Sequence, residues 1–86
     1  MKYICFKTEE YPKFKFLLLE RIKVVEFEYN LLNQQSIIKI ELKNKQKFYL
    51  VSSEIAESEL NKLSKDFDAF TNKTNNYFDL SFFNLV

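Results

Sequence analysis

The chain has 86 residues, 47% of them apolar and 29% charged, with a net charge of +1. That composition describes one globular domain over 1–86 and excludes both a disordered segment and a strongly basic nucleic-acid binder. It holds no glycine and no histidine, which removes the Gly-rich phosphate loop, the commonest general base and the commonest neutral metal ligand.

Residues 2–7 alternate as a first strand, with Ile4 and Phe6 facing a core and Tyr3, Cys5 and Lys7 facing away. Thr8-Glu9-Glu10-Tyr11-Pro12 reads as a helix start: an N-cap, two acids for the positive end of the dipole, and a proline in the first turn. Phe14, Leu17, Leu18 and Arg21 continue at helical spacing, so a short helix is expected over about 9–20; the strict alternation of Lys13-Phe14-Lys15-Phe16 is the competing signal for a strand.

The segment 22–52 reads as a three-stranded antiparallel meander. Val25, Phe27 and Tyr29 share one face, Ile38, Ile40 and Leu42 face inward, and so do Phe48 and Leu50. Asn44-Lys45 marks the second turn, because asparagine tolerates the left-handed backbone a tight hairpin needs. A helix is expected over about 53–71, capped by Ser52 or Ser53, with Ala56, Leu60, Leu63, Phe67 and Phe70 forming one apolar stripe. Residues 77–86 are strongly apolar, and Phe78, Leu80 and Phe82 alternate as a final strand. If that strand lies at a sheet edge it offers unpaired backbone groups beside aromatic rings. The expected class is therefore α+β, a small, mainly antiparallel sheet packed on one helix, in the order β-α-β-β-β-α-β.

A single cysteine cannot form an intrachain disulfide, no basic n-region precedes an apolar h-region, and no apolar run approaches the roughly 20 residues of a membrane span. These features point to a cytoplasmic protein with no membrane partner. Glycine, alanine, arginine and proline are scarce while lysine, asparagine, isoleucine and phenylalanine abound. The coding sequence is thus expected to be AT-rich, as in a low-GC bacterium, its phages or its plasmids.

Candidate chemistry is thin. Cys5 lies in an apolar strand with no histidine to activate it and reads as a space-filling residue. Glu41-Leu42-Lys43, with Glu26 and Glu28 on the preceding strand, resembles the core of the PD-(D/E)xK nucleases. That resemblance implies a Mg²⁺-dependent nuclease with acids on neighbouring strands and a charge-stabilising lysine. The Pro-Asp pair of that pattern is absent, and Glu-x-Lys arises wherever an exposed strand face alternates charge. Lys39, Lys43, Lys45 and Lys47, beside Tyr49, make a nucleic-acid surface the runner-up reading, ahead of the nuclease. The acids Glu26, Glu28 and Glu41 interrupt it.

The favoured reading is non-enzymatic protein binding, with no cofactor and no metal. Ten phenylalanines and five tyrosines exceed what one small core needs, and Tyr11, Tyr49, Tyr77 and Phe83 fall off the inward faces as candidate anchors. Charge is split between 1–52 (+4) and 53–86 (−3), which suits orientation against a charged partner. The expectation is a small inhibitor, immunity or accessory protein of a phage or mobile element, anti-CRISPR-like, that occludes a site on a larger protein. A homo-oligomer paired through the C-terminal strand is compatible with it.

Overall fold

The computed structural model describes residues 1–8 and 14–86, without the side chain of Phe14. Among them six strands form one sheet: β1 (Tyr3–Thr8), β2 (Phe14–Leu18), β3 (Ile22–Asn30), β4 (Gln35–Leu42), β5 (Lys47–Ser52) and β6 (Tyr77–Leu85). Among the described residues one α-helix, α1 (Glu57–Phe70), covers one face. The strand order is β2-β1-β6-β5-β4-β3, antiparallel throughout except where β1 meets β6. The α+β class, the terminal strands, the meander and the helix behind it are as the periodicities predict.

The helix expected over 9–20 does not form among the described residues. Residues 14–18 are strand β2, and helical geometry is confined to a 3₁₀ turn, Leu19–Arg21. Tertiary pairing outweighs local propensity here. β1 is hydrogen-bonded on both sides, and β2 closes its second side with Cys5 opposite Phe16 and Ile4 opposite Leu17. Among the described side chains of β2, pairing buries Leu17 and turns Phe16 outward. Residues 9–13, including the proposed N-terminal helix signal, lie outside the described residues.

The meander follows the alternation closely. Ile38, Ile40, Leu42 and Leu50 are buried, while their outward neighbours carry charge. With no glycine available, both turns place a non-glycine residue in the left-handed region: Gln34 (φ 52°) after β3 and Lys45 (φ 75°) after β4. The sequence pattern assigns that conformation in the second turn to Asn44. The asparagine serves differently, its Oδ1 accepting the Gln46 amide at 3.0 Å while Lys45 takes the positive φ.

Helix α1 begins later than its sequence signals suggest. Ser52 Oγ accepts the Glu54 amide at 3.3 Å and Ser36 Oγ donates to the Ile55 carbonyl at 2.8 Å, so the serines hold the approach to the helix and Ala56 occupies the N-cap without a side-chain bond. Leu60, Phe67 and Phe70 form the buried stripe. Phe67 is the hub of the ring packing: it meets Phe27 of β3 at 5.9 Å and Phe78 of β6 at 5.4 Å, so the helix spans the sheet.

Strand β6 is central, between β1 and β5, and is not an edge strand. The parallel register runs Tyr3↔Tyr77 to Cys5↔Asp79, then resumes at Lys7↔Asn84. The extra residues of β6 form a bulge, stabilised by the Ser81 amide donating to Asp79 Oδ1 at 2.8 Å. The bulge inverts the alternation: Leu80 and Phe83 point into the core and Phe82 points out.

Candidate protein-binding surface

Because α1 covers one face of the sheet, the other face carries no covering element among the described residues. At the corner where β2, β1 and β6 adjoin, cross-strand pairing brings three rings together. Tyr3 stands opposite both Leu18 of β2 and Tyr77 of β6. Its ring meets Phe16 edge-on at 5.2 Å and lies nearly parallel to Tyr77 at 6.1 Å. Phe16 is 65% exposed and Tyr77 57%, so the cluster presents its apolar surface to solvent although its members support one another.

The four predicted anchors fare differently. Tyr77 belongs to this cluster. Tyr49 is 44% exposed on the same open face, but it pairs with the far end of β6, where the Val86 amide donates to its carbonyl at 3.0 Å. Tyr49 and Tyr77 thus lie at opposite ends of the sheet and form no single patch. Phe83 is 0% exposed, a core residue, because the β6 bulge shifts the strand's parity. Its neighbour Phe82, 64% exposed, takes the outward position instead. Tyr11 lies outside the described residues. Tyr3 and Phe16 were not among the predicted anchors; the outward parity of Tyr3 was legible beside Ile4 and Phe6, whereas Phe16 was hidden by the helical interpretation of its segment.

Cys5 lies beside this cluster on β1, opposite Phe16 and Asp79. It is a buried thiol whose pKa is raised, first by burial and then by the Asp79 carboxylate. A thiol held protonated in this way is a poor nucleophile.

The charged part of the open face is self-neutralising. Lys39 Nζ lies 2.9 Å from Glu28 and Lys23 Nζ lies 3.9 Å from Glu41, while Lys47 stands opposite Glu41 in the register. The hydrogen bond and charge of Glu28 raise the Lys39 pKa above its ordinary value. Of the four lysines considered for nucleic acid, Lys39 is therefore engaged on the sheet and Lys43 and Lys45 sit in the exposed turn. The nuclease-like acids do not converge either. Glu26 faces Lys39, Glu28 is bound to it, and Lys43 falls past the end of β4. Among the described residues no three His, Cys, Asp or Glu side chains come together as a metal-binding group. No helix among them is long and apolar enough to cross a membrane. No protein-family model, curated protein or solved structure matches the chain.

Proposed function

We propose that this chain is a non-enzymatic protein-binding domain that occludes a site on a larger protein through the open face of its sheet. The observation that supports the reading is the Tyr3–Phe16–Tyr77 cluster, three rings on three adjoining strands, two of them more than half exposed. Aromatic side chains on a rigid sheet lose little conformational freedom on docking and supply large contact areas, the usual make-up of an interface hot spot. The core that carries the scaffold lies on the other side, between α1 and the inward rows of the sheet.

The test is affinity capture from host lysate with the wild-type chain and with a Phe16→Ala/Tyr77→Ala double variant, each after nuclease treatment. A protein retained by the first and lost by the second supports the reading. Capture that ignores both substitutions but vanishes with nuclease, or with Lys43, Lys45 and Lys47 changed to Glu, replaces it with nucleic-acid binding.

A further inference from the structure

The sheet ends at β3, and its inner neighbour β4 shows what that strand accepts. On the paired side, Lys39 stands opposite Glu26 and bridges Glu28, while Ile38 and Ile40 stand opposite Phe27 and Val25. Ile38 and Ile40 are 0% and 1% exposed, yet Val25, Phe27 and Tyr29 stay only half-buried. The difference is the missing flank: among the described residues β4 has a strand on each side and β3 on one. On the outward row Glu26 is exposed; its charge acts on Lys39 across the ladder, but it makes no ion pair within 4 Å with any described residue. β3 is nine residues long, against five for the opposite edge strand β2.

We propose that the outer edge of β3 receives an extended segment of a partner protein, with lysine or arginine at alternate positions and apolar residues between them. The incoming strand hydrogen-bonds to the outward-facing backbone groups of β3. Its basic side chains meet Glu26 and Glu28, as Lys39 does from the other side, and its apolar side chains cover the exposed flanks of Val25, Phe27 and Tyr29. A second copy of this chain fits less well. Antiparallel self-pairing centred on Glu26 sets two carboxylates face to face, and pairing centred on Val25 sets Lys23 against Phe27. This edge lies at the opposite margin of the sheet from the Tyr3–Phe16–Tyr77 cluster, and failure at either place leaves the other standing.

The experiment titrates the full chain with a labelled peptide of about eight residues alternating valine and lysine, the length a strand of this size can pair. Parallel titrations use the same peptide with glutamate for lysine, and the lysine peptide N-methylated along one backbone edge. Expected are saturable binding of the lysine peptide, slowed amide exchange confined to 22–30, and no binding of the other two. Glu26→Lys weakens binding by roughly tenfold or more, because repulsion replaces a charge-assisted hydrogen bond, and Glu26→Gln by less. The proposal is overturned if the glutamate peptide binds as well, if Glu26→Lys keeps native amide shifts and full affinity, if protection appears elsewhere on the sheet, or if the wild-type chain instead dimerises through β3.

Discussion

Lys2, just ahead of β1, is bound to Phe70, the last residue of α1. Its Nζ donates to the Phe70 carbonyl and lies 5.0 Å from the centre of the Phe70 ring. The last turn of α1 carries no basic residue of its own, so a lysine 68 positions away in sequence supplies the cation that the negative end of the helix dipole favours. One side chain thus serves as cap, ring contact and tie between the sheet and the helix. Lys2→Met keeps the stem and removes the charge. The variant should lose about 1–2 kcal/mol in urea unfolding at low salt, combining the dipole and cation–π contributions, and amides near residues 70–73 should exchange faster. Unchanged exchange there would mean that the contact holds nothing.

Neighbouring phenylalanines in β6 should behave oppositely. Phe83 is fully buried, and Phe82 projects outward from the bulge. Phe83→Ala should cost about 3–5 kcal/mol through a core cavity, a large share of the roughly 5–15 kcal/mol total of a typical domain. Phe82→Ala should stay within about 0.5 kcal/mol. Denaturant midpoints of the two variants decide it; similar losses would refute the bulge as the source of the parity change.

Where burial follows a simple period, the sequence was informative. Ile38, Ile40 and Leu42 alternate inward, and Leu60, Phe67 and Phe70 line one face of α1, as their spacing requires. It misled where partners distant in the chain decide. Residues 14–18 carry both a helical and an alternating pattern, and the unfilled edge of β1 selects the strand. The face of Phe83 depends on three additional β6 residues between the pairs Cys5↔Asp79 and Lys7↔Asn84, a count that no local pattern reveals. The same limit affected the candidate site. Tyr77 was recognisable as a ring off the core, but its association with Tyr3 and Phe16 arises only from the order β2-β1-β6.

The Lys39–Glu28 pair offers a titration test of the open face. Glu28 raises the Lys39 pKa, chiefly through the hydrogen bond and then through its charge. A lysine with a raised folded-state pKa adds stability below its unfolded pKa and loses that contribution as pH climbs through the folded value. Glu28→Gln should move the Lys39 titration, followed by side-chain NMR, back toward ordinary lysine, and added salt should produce part of the same shift in the wild type. A titration indifferent to both changes would show that the pair does not persist in solution.

Cys5 reports on the packing beneath the aromatic cluster. Burial, and secondarily Asp79, raises its pKa. The thiol therefore stays protonated at pH values where a free cysteine has begun to ionise, and its alkylation by iodoacetamide should be slow, with a rate profile displaced to alkaline pH. The linked stability has a definite sign: the tighter proton binding of the folded state favours folding below the unfolded thiol pKa, and the benefit disappears as pH rises through the folded one. Asp79→Asn separates the two causes. The amide keeps an oxygen to accept the Ser81 N–H, as Asp79 Oδ1 does at 2.8 Å, but removes the charge. The alkylation profile should then move partway back toward a free thiol, the remainder being the contribution of burial. A profile superimposable on the wild type would assign the whole shift to desolvation by the surrounding strands, and a complete return would assign it to Asp79 alone, contrary to the buried position of the sulfur between β2 and β6.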